Sequence, residues 1–220
     1  MIEVRLRKHE TFPWINFNNS IYIRGYFYDE HNKVLNENLL FKKLSLISCQ
    51  SEAVKLLKKI DGCFLVIILD KNRNTAIIAS DRIRSFPIFY FFYDNKIFIC
   101  DHLEKIESNF KENILSHFEF LHCGYVSGSE TLINDIYQIQ AGECILLEGN
   151  GISSKKYYSY INKNNNLNDS DYYKKKLQNA LEKTFVKLIE STKNRFLIIP
   201  LSGGLDSRLI ASYLKKCGVD

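Results

Sequence analysis

No apolar run in the 220-residue sequence approaches the ~20 residues of a membrane-spanning helix, so no membrane partner is expected. The N-terminus, Met1-Ile2-Glu3-Val4-Arg5-Leu6-Arg7-Lys8, alternates apolar and charged residues, and no signal-peptide core follows it. The six cysteines (Cys49, Cys63, Cys100, Cys123, Cys144, Cys217) include no Cys-x-x-Cys pair. That argues against a zinc site or a disulfide framework. Most lie in apolar stretches, as buried free thiols do, and a reduced cytoplasmic setting is expected. Lys and Arg number 30 against 25 Asp and Glu, a net charge of +5. No basic stripe results, since only Lys174-Lys175-Lys176 cluster, so no nucleic-acid partner is expected. No internal repeat is visible. Gly-Lys-[Ser/Thr] is absent, which excludes a Walker A loop.

What is present centres on Pro200-Leu201-Ser202-Gly203-Gly204-Leu205-Asp206-Ser207-Arg208. The apolar run Phe196-Leu197-Ile198-Ile199 before it reads as a buried strand. Leu209, Ile210, Ala211, Tyr213 and Leu214 after it recur at helical spacing, with Gly218 as a stop. Strand, glycine turn and helix make an anion cradle. The first helical amides lack intrahelical partners, the helix dipole adds positive charge, and glycines permit close backbone approach. Ser202 and Ser207 add hydroxyls. Asp206 would repel phosphate unless a divalent cation lies between them, which suggests Mg²⁺. The same residues also suit a plain glycine turn with Asp206 and Ser207 capping a helix.

The composition, 45% hydrophobic and 25% charged, is that of a soluble protein of one or two domains. Strands are expected over 2–7, 21–28, 63–69, 75–79, 87–93 and 96–100, the last two joined at Asp94-Asn95. Further strands are expected within 136–147, broken at Ala141-Gly142. Asp61-Gly62 reads as a turn. Helices are expected over 38–59, broken near Ser48 to Ser51, and over 114–122. The polar stretch 161–171 reads as a linker between domains 1–160 and 172–220. Ser170 or Asp171 then caps an amphipathic helix with Leu177, Leu181, Phe185, Leu188 and Ile189 on one face. The density of short strands indicates an α+β fold.

Ser202-Gly203-Gly204-Leu205-Asp206-Ser207 resembles the pyrophosphate loop of the ATP pyrophosphatases. Three further segments resemble asparagine synthetase, namely Ala79-Ser80-Asp81-Arg82-Ile83-Arg84-Ser85-Phe86-Pro87-Ile88-Phe89-Tyr90, Gly124-Tyr125-Val126-Ser127-Gly128-Ser129-Glu130-Thr131-Leu132 and Ile136-x-x-Ile139-x-Ala141-Gly142. The first follows the family's Asp-Arg-x-Gly-x-x-Pro-Leu-Tyr-Tyr. The resemblance implies an Ntn-type α/β/β/α sandwich, then the opening helix, strand, phosphate loop and helix of a Rossmann-like domain. It implies ATP and Mg²⁺ as cofactors, with Ser202, Gly203, Gly204, Leu205, Asp206 and Ser207 binding ATP and Asp206 holding the metal. The implied reaction adenylates a carboxylate, by default aspartate, releases pyrophosphate and forms an amide.

Several departures qualify this. A glutaminase of this kind needs cysteine directly after the initiator methionine, and Ile2 stands there. The family's glutamine-binding Asn-Gly-x-x-Tyr-Asn is not recognised in the first 60 residues. The N-terminal domain is therefore expected to be degenerate, with no catalytic residue. Arg84 replaces the family glycine, and Asp81 with Arg82 reads as a structural turn and ion pair. Arg208 follows the loop where a small residue is usual. It adds a phosphate contact or faces solvent. The chain ends about a dozen residues past the loop. Hence a truncated chain, inactive alone, is expected, with a missing C-terminal half or second subunit as partner. The alternatives are a noncatalytic docking module, or a relative of β-lactam-forming or peptide-cyclising type that uses an amine of its own substrate.

Overall fold

Alternation and apolar runs become two stacked sheets. The computed structural model describes residues 1–103, 110–161, 169–193 and 195–219. Most of the expected linker, 162–168, lies outside the described residues. In chain order the elements are β1 (Ile2–Arg5), β2 (Ile15–Phe17), β3 (Ile21–Tyr28), α1 (Glu37–Leu44), α2 (Gln50–Leu57), β4 (Asp61–Asp70), β5 (Thr75–Ser80), β6 (Phe89–Tyr93), β7 (Lys96–Cys100), α3 (Ile114–Cys123), β8 (Ile136–Gln138), β9 (Glu143–Glu148), β10 (Gly151–Lys156), α4 (Ser170–Ser191) and α5 (Leu205–Lys216). They divide into two units, Met1–His31 with Leu35–Tyr160, and Ile161–Asp220 with Asn32–Val34.

In the first unit a six-stranded sheet has the order β10-β9-β5-β4-β3-β2, and a four-stranded sheet has the order β1-β7-β6-β8. Every pair is antiparallel except β1 with β7. Strand residues alternate between faces. Leu65, Ile67, Ile78 and Leu147 meet Tyr90, Ile97 and Ile99 between the sheets. Ile23, Phe64, Val66 and Ile77 pack instead against Leu40, Leu44, Ala53 and Leu57 of α1 and α2. Because the middle of β4 is buried on both faces, its run 63–69 is uniformly apolar rather than alternating. The outer face of the four-stranded sheet carries Phe91, Phe98 and Ile136 with Leu103, Phe110 and Ile133 against them. This is the Ntn-type sandwich arrangement.

The structure revises several sequence expectations. Asp61-Gly62 opens β4 in register with Tyr28 and Phe27 instead of turning the chain. β2 arises from an Asn18-Asn19 turn with φ of 53° and 51°, the left-handed pair of a tight hairpin. β10 is an exposed polar edge strand, with no apolar pattern to announce it. Of the cysteines only Cys100 and Cys144 are buried. Burial pushes their thiols up, to about 11 and about 12. Cys49, Cys123 and Cys217 are exposed, sitting at the ends of α2, α3 and α5 where local apolar sequence does not ensure cover.

In the second unit α4 is capped by Asp169, whose side chain accepts from the Asp171 amide, one position before the expected caps. On its apolar face Phe185 is buried and stacks on Tyr213 of α5 at 4.8 Å, whereas Leu177 remains exposed. Phe196–Ile199 does not form a strand. Phe196 is 99% and Ile198 89% exposed. An apolar β-branched run becomes a strand only when a neighbour completes its ladder. No described segment of this unit does so.

Candidate functional site

The loop at the start of α5 keeps part of the expected geometry. Gly203 has φ +77°, and Gly204 is the N-cap of α5. No side chain caps this helix, so its first amides stay available to an anion. Asp206 lies in the first turn. The Ser207 hydroxyl donates to the Gly204 carbonyl at 3.3 Å, so in this state it serves its own backbone. Ser202, Gly203, Gly204, Leu205, Asp206 and Arg208 are all exposed. The uncapped amides and the left-handed glycine fit a phosphate group. Among the described residues no cluster of three His, Cys, Asp or Glu could hold a metal. A cation at Asp206 would therefore take phosphate oxygens and waters as its other ligands.

A second constellation lies in the sandwich, and the sequence did not announce it. Asp101 follows β7, and its carboxylate is fully buried. It accepts from the Arg7 amide at 3.0 Å and from His9 Nε2, Trp14 Nε1 and His102 Nδ1, each at 2.8 Å. Burial alone would raise its pKa. The bonds from His102, Trp14, Arg7 and His9 outweigh that and hold it below the ordinary 3.8. Arg24 of β3 completes the group, with Nη1 3.9 Å from Asp101 Oδ2. Its Nε donates to the Phe12 carbonyl at 3.0 Å, and its guanidinium lies over Phe86 at 4.5 Å. The segment between β1 and β2 is thus tied to the sheets by one carboxylate and one guanidinium.

Arg24 also bears on the expected glutamine pocket. Arg24-Gly25-Tyr26-Phe27-Tyr28-Asp29 keeps the glycine and the tyrosine of Asn-Gly-x-x-Tyr-Asn, as Gly25 and Tyr28, with arginine and aspartate in place of the two asparagines. The segment thus resembles that motif at two of its four fixed positions. Tyr26 donates to Cys63 Sγ at 3.0 Å across the β3–β4 pair. At the head of β1, half-buried Ile2 packs against the core between the sheets. Asp81 is buried and accepts from the amides of Phe64, Ile83 and Ser85 at 3.0, 2.8 and 3.0 Å, a structural turn. Arg82 pairs with Asp61 at 3.6 Å. Arg84, in the family's glycine position, has φ +57°.

A two-sheet sandwich with this turn defines an Ntn-type amidotransferase domain, and the chain belongs to the glutamine amidotransferase domain family, which it matches over residues 43–158. It is 27% identical over 173 residues to the microcin J25-processing protein McjC of Escherichia coli, a match covering 74% of this chain and 30% of that protein. It also resembles, at 11% identity and a TM-score of 0.38, the glutamine phosphoribosylpyrophosphate amidotransferase of B. subtilis complexed with ADP and GMP. That match covers 67% of this chain and 31% of the other. An allosteric regulatory enzyme of purine biosynthesis gives a TM-score of 0.36 at 12% identity, covering 68% and 31%. The chain thus spans about a third of the length of these relatives. No described helix is long and apolar enough to cross a membrane.

Proposed function

We propose that this chain carries the amidotransferase-like domain and the nucleotide loop of an ATP-dependent, amide-forming ligase of asparagine synthetase type. The observation that carries this reading is the left-handed Gly203 leading into the uncapped N-terminus of α5. The amides of Gly203, Gly204 and Leu205 face phosphate oxygens, with the Ser202 and Ser207 hydroxyls as further donors. Asp206 would hold Mg²⁺, which would offset charge on the phosphates. ATP supplies the activated adenylate, and pyrophosphate is the leaving group. The acceptor is a carboxylate, aspartate by family resemblance. The nitrogen comes from free ammonia or from an amine carried by the substrate itself, as in the β-lactam-forming and peptide-cyclising relatives.

Glutamine is not the nitrogen source in this reading. Ile2 is a partly buried residue packed against the core at the head of β1, and Arg24 stands at the asparagine position of the segment that resembles the glutamine-binding motif. Neither supplies a nucleophile, and none of the six cysteines follows Met1. The purified chain is expected to release no glutamate from glutamine. Release abolished by a cysteine-to-alanine change would sink this part of the proposal.

The nucleotide claim is tested by calorimetry with ATP·Mg²⁺. Binding is expected, and Asp206→Ala should weaken it by about tenfold or more, through loss of metal-assisted phosphate attraction. A second reading, a noncatalytic docking module, draws on the unpaired Phe196–Ile199 segment beside the loop. A folded chain that binds no ATP in either form would favour it and defeat the ligase.

A further inference from the structure

We propose that a cavity of about 440 Å³ beside α3 binds the carboxylate end of a peptide whose last side chain is apolar. The cavity belongs wholly to the first unit, and the inference does not rest on the ligase reading. Phe89, Phe120, Tyr125, Leu132 and Ile133 form its apolar wall, and Arg84 and Gln138 supply polar groups. Apolar lining with a few placed polar groups is the usual make-up of a small-ligand site.

Arg84 decides the ligand's charge. Its φ of +57° is a conformation that suits glycine, which the related segment has at this position. Strain of this kind persists where the surrounding structure imposes it and is concentrated at binding sites. The side chain is held in place at the cavity. Arg84 Nη1 donates to Gln138 Oε1 at 2.8 Å and to the Ile139 carbonyl at 3.4 Å. Gln138 Nε2 in turn donates to the Glu130 carbonyl at 3.0 Å. Those bonds use one nitrogen. Among the described residues Nε and Nη2 have no acceptor, and this edge of a guanidinium matches the two oxygens of a carboxylate.

Among the described residues, the acids Glu119 and Glu130 in the flanking segments do not compete for it. Glu119 accepts from the Ser127 amide at 3.0 Å and from the Ser127 hydroxyl. Glu130 accepts from Asn113 Nδ2 at 3.1 Å and Ser116 Oγ at 3.4 Å. Neither lines the cavity. Three of the walls are aromatic rings, and the hollow is open rather than a tunnel. That suits one branched or aromatic side chain beside a carboxylate better than the length of a fatty acyl chain.

The test is titration of the whole chain with N-acetyl-Leu-Phe as the free acid, with its C-terminal amide, and with decanoate, followed by NMR shifts of Gly124–Ile133. The acid is expected to bind, and the amide about tenfold or more weaker. Arg84→Gly should bring the acid down to the level of the amide while the circular dichroism spectrum stays unchanged, since glycine accepts the backbone conformation. Arg84→Gln gives the same readout with a side chain kept. Tyr125→Ser, at an exposed wall position, should weaken both ligands alike. Absence of saturable binding by the acid would overturn the proposal. So would equal affinity for acid and amide, or no effect of either Arg84 variant. Decanoate binding as tightly as the peptide acid would overturn the peptide assignment.

Discussion

Asp101→Ala is expected to lower the melting temperature by roughly 10 °C. The carboxylate is fully buried and receives four hydrogen bonds, three from side chains and one from the Arg7 amide. Removing one member of a buried charged network costs about 3–5 kcal/mol, because the partners left behind cannot return to water. In a domain of this size each kcal/mol moves the melting temperature by about 2–4 °C. Trp14 is the single tryptophan, and its indole N–H donates to Asp101. Its fluorescence therefore reports the release of the segment between β1 and β2. Asp101→Asn should sit between alanine and the parent. It keeps the shape but loses the charge and presents an N–H₂ toward donors. A shift of under about 2 °C for Asp101→Ala would show that the network contributes no net stability.

The same carboxylate gives a pH dependence of defined sign. Its folded-state pKa lies below the ordinary 3.8, so the folded chain releases this proton more readily than the unfolded chain. Its contribution is fully present above 3.8 and is lost as pH falls through the lower, folded-state value. Acid unfolding followed by Trp14 fluorescence should therefore be less steep in Asp101→Asn than in the parent below that pH. Identical acid limbs would contradict the assignment.

The elements that could be read from sequence were those whose signal is local. β4 is apolar over 63–69 because both faces of its middle are covered, and Asp94-Asn95 takes φ of 47° and 55° in the hairpin it was expected to form. The Gly203-Gly204 turn likewise depends on residues beside it. The run 196–199 carries a strand signal like that of β4, yet among the described residues it has no ladder partner, since pairing is a property of the neighbour. β10 shows the converse. Ser153, Ser154, Lys155 and Lys156 form a strand because β9 offers an edge, and their polarity suits an exposed one. Asp101 was out of reach for a related reason. His9 and Trp14 are 92 and 87 positions away, brought together by the parallel pairing of β1 with β7. The Arg24-Gly25 segment was missed because arginine hides the asparagine of the motif. Gly25 and Tyr28, at the motif's spacing, were the signal that remained.

Gly25→Ala should be the most damaging small substitution in the first unit. Gly25 has φ +99°, a region that side-chain-bearing residues rarely adopt. A Cβ there would overlap the carbonyl oxygen of Cys63, on the paired strand β4, and stand 2.8 Å from Phe86 Cε2. The Cys63 oxygen is backbone and cannot move without opening the central β3–β4 ladder. Phe86 lies against the Arg24 guanidinium, so displacing it disturbs that stack as well. Backbone strain of about 1–3 kcal/mol adds to an overpacking cost of similar size, giving a loss of about 3 kcal/mol or more. Gly128→Ala separates the two terms. Its φ is +65°, and a Cβ there meets nothing within 4 Å. It should cost about 1 kcal/mol, from the backbone alone. Urea unfolding of both variants measures the difference. If the two losses were equal, steric exclusion at the β3–β4 pair would play no part, and Gly25 would be held only by its dihedral. If the Gly25 loss is the larger, the glycine of the family's glutamine-binding segment is kept here by the sheet itself, whatever became of the glutamine site.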